Sequence, residues 1–372
     1  MEDTTQPTII EPPLFKWSEC DPRDAPPSQY LVDGLIPILG CHLIIGAPKA
    51  GKSQLTAHIV ACLLSGRPVF GHYEVTETHM RVLWLLLEET RYKVRYRIEA
   101  NLRGLGIDDS GIKALSKNLD ERLIVSARDK EPSRDTRDMI FSVDRHAEWV
   151  LKAASEGEYQ AVVLDSLRPA HGYEENSSTD MKPVTDFMRE LSEYTCGLIL
   201  HHRGHSNPDF VRAGGDAGRG TSDLDAARDT ALHIQKGTFG GAMLIGVHHR
   251  DDSERFVVVQ TTPDRATDTF TWERIGETED PGIGLNLLNE TKLFTVVDAA
   301  SKPGDLPSLS AMKSIFGYDY KAHIASMERV SRVETRKLAT GKPGQKPTLI
   351  MRPGQFTDDD WIEAEERATD SQ

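Results

Sequence analysis

The chain has 372 residues, with 44 basic against 58 acidic side chains and a net charge of -14, which excludes a protein that coats nucleic acid over its whole surface. Its 38% apolar content supports one large core and a smaller one, and its four cysteines (Cys20, Cys41, Cys62, Cys196) form no C-x-x-C pair, which argues against a disulfide framework or a zinc knuckle. No apolar run approaches the roughly 20 residues that span a bilayer, and the acidic, proline-bearing start "MEDTTQPTIIEPP" lacks the pattern of a secretory signal, so a cytoplasmic protein with no membrane contact is expected.

Residues 1–29 contain six prolines and little apolar patterning, and read as a flexible N-terminal arm. Across 30–280 strands and helices alternate. "CHLIIG", "RVLWLLLEE", "LIVSA", "AVVLD" and "GLILHH" are apolar without alternation, as strands buried on both faces of a parallel sheet must be. Helical stretches at 52–65, 91–105, 142–156 and 179–194 lie between them. This is an α/β series of βαβ units with its ligand at the C-terminal strand ends. After Asp223 the strands "DTALHIQ", "AMLIGVHH", "RFVVVQTT" and "TFTWERI" shorten, alternate and extend the sheet.

Residues 281–356 read as a separate module of three helices and a two-stranded element around "GKPGQK", a winged-helix-like pattern. Between Lys302 and Arg352 ten basic residues face four acidic ones, a local net of +6 in an acidic chain. Duplex DNA binding and a lid that packs subunits together are both open for it. Residues 357–372, "TDDDWIEAEERATDSQ", read as an acidic, flexible tail that could cover the basic surface.

The chemistry centres on "GAPKAGKS", Gly46–Ser53, which fits G-x-x-x-x-G-K-[ST] between a strand and a helix. The backbone of Gly46, Ala47, Pro48, Lys49, Ala50 and Gly51 is expected to wrap phosphate oxygens, with Lys52 neutralising their charge. Ser53 would offer a hydroxyl to Mg2+, and Gln54 would be the last of the nucleotide-binding residues. Asp165 ends the buried strand "AVVLD", where a lone carboxylate is costly without a role, and is expected to complete the metal shell. Glu88 and Glu89 end another buried strand. Either reaches the ligand side of the sheet; Glu89 also suits a helix N-terminus, which leaves Glu88 as the candidate base.

These motifs, in order, resemble the RecA-type NTPases of the plasmid RepA replicative-helicase type. "YLVDGLIPILGCHLIIGAPKAGKS", "VLWLLLEETRYKVRYRIEANLRGLG", "AVVLDSLRPAHGYEENSSTDM", "TCGLILHHRG" and "GRGTSDLDAARDT" carry the likeness over about residues 30–250. The resemblance implies a RecA-like fold, ATP and Mg2+ as cofactors, and a ring of subunits, commonly a hexamer, around single-stranded DNA. It implies Glu88 as general base and His202 as a polar sensor of the γ-phosphate. It further implies Arg228 as an arginine acting in the neighbouring subunit's site, with Arg219 as its rival. The glycine-rich segment after the sensor strand would face a channel and bring Arg203, Arg212 and Arg219 to phosphates, while Lys342 and Lys346 would lie on the wing. A replicative helicase or translocase is the expected activity. A RadA-like recombination mediator and a nucleotide-gated DNA-binding regulator or defence component are the alternatives. The runs "HHRGH" and "HHRDD" read as strand histidines rather than metal ligands, since neighbouring side chains on a strand point to opposite faces.

Overall fold

The computed structural model describes residues 29–76, 80–127, 141–202, 222–236, 241–250, 254–279, 281–313, 320–329, 333–337 and 347–370. The chain enters through a short antiparallel pair, β1 (Tyr30–Val32) and β2 (Ile36–Pro37). It then forms β3 (Gly40–Gly46), α1 (Lys52–Ser65), β4 (Val82–Leu86), α2 (Arg91–Gly104), α3 (Asp109–Arg122) and β5 (Leu123–Ala127). Next come α4 (Val143–Ser155), β6 (Ala161–Asp165), α5 (Ser178–Tyr194), β7 (Cys196–His202) and the short α6 (Ser222–Ala226). Four further strands follow: β8 (Thr230–Lys236), β9 (Ala242–His249), β10 (Arg255–Asp264) and β11 (Thr269–Thr278).

Nine of these strands make one sheet in the order β11-β10-β9-β8-β3-β7-β6-β4-β5. From β5 to β8 every pairing is parallel; β9, β10 and β11 add on antiparallel. The expected RecA-like arrangement, a mostly parallel sheet with an antiparallel extension, is therefore present. β3, β4 and β6 are buried at every position, as unalternating apolar runs require when helices cover both faces.

Helix α1 shows how one covered face is built. Nearly all of "LTAHIVACLL" is buried, so the helix is apolar all round and lies inside the molecule. His58 on this helix stacks between Phe70 (5.4 Å) and Trp272 (5.1 Å) and accepts the Phe70 N–H at 3.1 Å. Burial pulls its pKa down to about 3, so it packs as a neutral ring. The Trp272 indole in turn donates to Asn101 on α2 at 2.9 Å, tying the antiparallel extension to the helical layer. Helix α3, absent from the sequence reading, is mostly polar and shows only a thin apolar stripe through Ile112 and Leu115.

The C-terminal unit begins with α7 (Pro281–Asp298), whose first half lies on β9, β10 and β11. A Cβ at Gly284 would stand 3.1 Å from Phe256 Cβ and 3.2 Å from Leu244 Cδ1, so glycine permits that approach. The second half of α7 gives Leu293 and Val297 to a separate core. That core is completed by α8 (Tyr320–Arg329), the antiparallel pair β12 (Glu334–Lys337) and β13 (Thr348–Met351), and α9 (Asp358–Asp370). Ser308 forms a single bridge to Leu349, and the expected middle helix appears as a 3-10 turn at Leu309–Met312, residues 314–319 lying outside those described.

The tail differs from its expected flexible state. Residues Asp358–Asp370 form α9, and Trp361 is 1% exposed in the C-terminal core with the Arg336 guanidinium 4.8 Å over its ring. Arg336 also donates to Asp358 at 2.7 Å. Thr357 and Asp360 exchange hydrogen bonds across the first turn (3.3 Å to the Thr357 hydroxyl, 2.8 Å from its N–H), which is a capping box. The three aspartates at the N-terminus suit the helix dipole. Among the described residues no helix is long and apolar enough to cross a membrane.

Trp361→Ala should destabilise the C-terminal unit by roughly 3–5 kcal/mol, the usual cost of removing a buried large aromatic. Thermal unfolding with limited proteolysis checks this: early cleavage within 281–370 with the nucleotide domain intact is expected, and an unchanged digest would refute a structural α9.

Candidate active site

The sheet register collects the site. Gly46 lies beside His202 on β3 and β7, and Leu86 lies beside Asp165 on β4 and β6. The loop after β3, the residues after β4, Asp165 and His202 thus emerge at one edge, the C-terminal strand ends where open α/β sheets bind ligands.

Gly51 caps α1 with φ +105, a left-handed conformation that a side chain resists. A Cβ at Gly46 would come within 3.2 Å of Ala50 Cβ and of the Ile234 carbonyl oxygen. The two glycines therefore let the loop fold tightly onto the positive end of α1, the geometry that holds phosphate. Lys52 is buried, and its ammonium donates to the carbonyls of Gly46 (3.0 Å) and Ala47 (3.2 Å) and to His202 Nδ1 (3.3 Å). Burial lowers its pKa, against the opposing pull of Glu88 and Asp165.

The contact with Lys52 fixes the tautomer of His202. An ammonium only donates, so Nδ1 must accept and the proton sits on Nε2. That N–H faces Glu88 Oε1 at 3.8 Å. Burial, and then the charge of Lys52, hold the His202 pKa below its ordinary value, so the ring stays neutral near pH 7.

The two glutamates separate cleanly. Glu89 is gripped by Arg97, one of whose contacts is 3.0 Å, and Lys93 approaches it at 3.5 Å. Those hydrogen bonds hold its carboxyl below the usual range despite burial. Glu88 instead opens into the cleft, with its side chain 46% exposed, and accepts from Ser166 Oγ at 2.5 Å. The cleft, of about 440 Å3, is lined by Lys49, Lys52, Ser53, Glu88, Asp165 and His202, among others.

A family profile described as an AAA domain matches residues 6–208, more than half of the chain. The chain belongs to that AAA-domain family. Fold, loop and match together make it a nucleotide-hydrolysing P-loop ATPase. No curated protein matches it. The AAA-domain match takes in the phosphate loop, Glu88, Asp165 and His202, and stops shortly after β7.

Asp165 tests whether a cation suits this AAA-domain site. It is 4% exposed; its Oδ1 accepts from Ser53 Oγ at 3.3 Å, and its buried Oδ2 has no hydrogen-bond partner among the described residues. A buried carboxylate oxygen left over beside a serine hydroxyl is a hard-oxygen donor set of the kind Mg2+ takes. Burial pushes the Asp165 pKa up to about 6, against the lowering effect of Ser53 and Arg97. The residues present therefore fit the metal.

Arg228 lies apart from this cleft. It is 8% exposed at the end of α6 and pairs with Asp225 at 2.9 Å, beside the buried His233 and His248. Arg203, Arg212, Arg219, Lys342 and Lys346 lie outside the described residues. His201 is buried on the opposite side of β7 from the cleft-lining His202, and His249 hydrogen-bonds Thr230 at 2.8 Å. Sequence reasoning missed Ser166 and Arg97. The signal for Ser166 was a hydroxyl directly after a buried strand-end aspartate; Arg97 is one of several basic residues of α2, and nothing in the sequence singled it out.

The raised pKa of Asp165 makes a stability prediction with a definite sign. The folded value of about 6 exceeds the ordinary 3.8, so the neutral form is favoured in the folded state and that contribution is lost as pH rises through 6. Asp165→Asn, neutral throughout, should stabilise the nucleotide-free protein by up to about 3 kcal/mol at pH 8 and by little at pH 4. Tm measured across pH checks this; a gain that is flat with pH would contradict it. The same substitution should weaken Mg2+-dependent nucleotide binding.

Proposed function

We propose that this ATPase is a ring-forming DNA motor of the RepA replicative-helicase type. The carrying observation is the chain of contacts from Lys52 to His202, because His202 is the last residue of β7 and leads directly into 203–221, the glycine-rich stretch with Arg203, Arg212 and Arg219. A change at the phosphate loop reaches that stretch through one imidazole. Arginines there would contact the backbone of single-stranded DNA.

Within the site, Glu88 accepts a proton from the attacking water. Lys52 leaves the carbonyls of Gly46 and Ala47 to neutralise phosphate charge, and His202 holds the space between Lys52 and Glu88. Ser53 and Asp165 would hold Mg2+, which supplies positive charge against the phosphate oxygens when bound. Arg228, or Arg219, would complete the neighbouring subunit's site. For Arg228 this requires release of its pair with Asp225.

A second reading is a nucleotide-gated DNA-binding regulator. It is supported by the order of the C-terminal unit: α7, a bridge at Ser308, a 3-10 turn, α8, then the antiparallel pair β12 and β13, which is similar to a winged helix whose middle helix is shortened to that turn.

Lys52→Ala and Glu88→Gln should each cut ATP turnover by about 10²–10³-fold, the usual effect of losing a charge stabiliser or a general base. The deciding experiment measures ATPase with and without single-stranded DNA, strand displacement on a fork, and mass with ATP. A motor shows DNA-stimulated turnover, displacement and an oligomer. Stimulation without displacement points to a mediator. Tight duplex binding without stimulation sinks the motor reading in favour of the regulator.

A further inference from the structure

We infer that Ser166 is a positioning residue that aims Glu88 and leaves Glu88 Oε2 as the proton-accepting oxygen. This rests on the reading of Glu88 as base and extends it to a residue with no assigned role.

The argument starts from the backbone. The Leu87 N–H donates to the Asp165 carbonyl at 2.7 Å, and the Leu167 N–H donates to the Leu200 carbonyl at 2.9 Å. Residue 166 is therefore pinned between β4 on one side and β7 on the other. Its side chain is buried, at 2% exposure, so the hydroxyl is a fixed donor rather than a mobile one. The opposite holds for Glu88. It lies past the end of β4, its side chain is about half exposed, and three rotatable bonds separate its carboxylate from the backbone.

Among the described residues, two side chains approach one oxygen of that carboxylate. Ser166 Oγ donates to Oε1 at 2.5 Å, a short charge-assisted hydrogen bond. His202 Nε2 stands 3.8 Å from the same oxygen, beyond hydrogen-bond range. Arg97, the nearest guanidinium in the cleft, is taken by Glu89. Ser166 thus selects the orientation, and both neighbours approach Oε1. The lone pairs of Oε2 remain for water. In the step itself an O–H bond of water breaks and its proton passes to Oε2. The water oxygen bonds to the γ-phosphorus as the bond to the bridging oxygen of ADP breaks, leaving ADP and phosphate. Ser166 touches none of these atoms, and its contribution is pre-orientation, which general-base catalysis depends on.

The test uses the full-length protein and four forms: wild type, Ser166→Ala, Glu88→Gln and the double variant. Single-turnover and steady-state ATP hydrolysis give kcat, and a fluorescent ADP analogue gives the nucleotide Kd and shows that each form is folded. Expected results are a roughly tenfold lower kcat for S166A with Kd within about twofold of wild type, and no further loss when S166A is added to E88Q. A wild-type kcat in S166A while E88Q is impaired overturns the positioning role alone. An equal further loss on the E88Q background shows that Ser166 acts independently of Glu88 and overturns it too. A joint loss of turnover and nucleotide binding in S166A assigns the residue to the fold around Asp165 and overturns it. A fully active E88Q removes Glu88 as base, and the proposal falls with that reading.

Discussion

Two rungs of the central sheet, Gly46 beside His202 and Leu86 beside Asp165, hold every group in the cleft at its station. Parallel pairing places strand ends of the same polarity on one edge, so the phosphate loop, the metal-side carboxylate, the glutamate and the histidine all face one space. A one-residue slip between β3 and β7 would turn His202 to the opposite sheet face and bring His201 to the cleft. The register is protected because both faces of these strands are buried, with Leu43 and Ile45 on one core and Ile44 and Leu200 on the other.

On that frame the charges of the cleft are held by local partners. Lys52 rests on two carbonyls and an imidazole, Glu89 is occupied by Arg97, and Glu88 is met by Ser166. Each such hydrogen bond to a charged group contributes about 1.5–3 kcal/mol, so a nucleotide must replace these contacts rather than simply add to them. Asp165 is the exception. Among the described residues its Oδ2 has no such partner, and its pKa is raised by burial, which costs stability above pH 6. A cation held beside Asp165 would offset this cost by favouring the charged carboxylate.

The doubly covered strands were legible because burial on both faces forces an apolar run with no alternation, and "AVVLD" and "GLILHH" are too short to be buried helices. The loop was legible because phosphate wrapping needs glycines and a lysine at fixed offsets. Helix α3 was not, since its stabilisation comes from neighbours that a polar surface helix does not announce in its own pattern. The helix α9 was hidden by net charge: the acids of "TDDDW" suggested a flexible tail, whereas they cap a helix and favour its dipole while Trp361 anchors it. The preference for Glu88 over Glu89 was legible from the helix N-terminus that Glu89 suits; its pairing with Arg97 was not, since Arg97 lies eight residues beyond Glu89 and meets it only once α2 has formed. Ser166 matters through a contact 78 residues distant in sequence, and no local pattern carries that.

Helix α7 extends the consequence of the register beyond the cleft. It is continuous from Pro281 to Asp298, with Leu288 in the sheet-side core and Leu293 and Val297 in the C-terminal core. Arg352, between β13 and α9, lies over the Phe294 ring at 3.4 Å and grips Asp298 through two hydrogen bonds of 2.9 and 3.0 Å. The last turns of α7 therefore belong to the C-terminal unit while its first turns rest on β9, β10 and β11. β9 pairs with β8, and β8 pairs with β3, the strand that carries the phosphate loop. Met243 on β9 also stands behind the loop, 3.0 Å from where a Cβ on Gly51 would lie. The C-terminal unit is thereby attached to the part of the sheet that borders the nucleotide, and not to the far edge at β5.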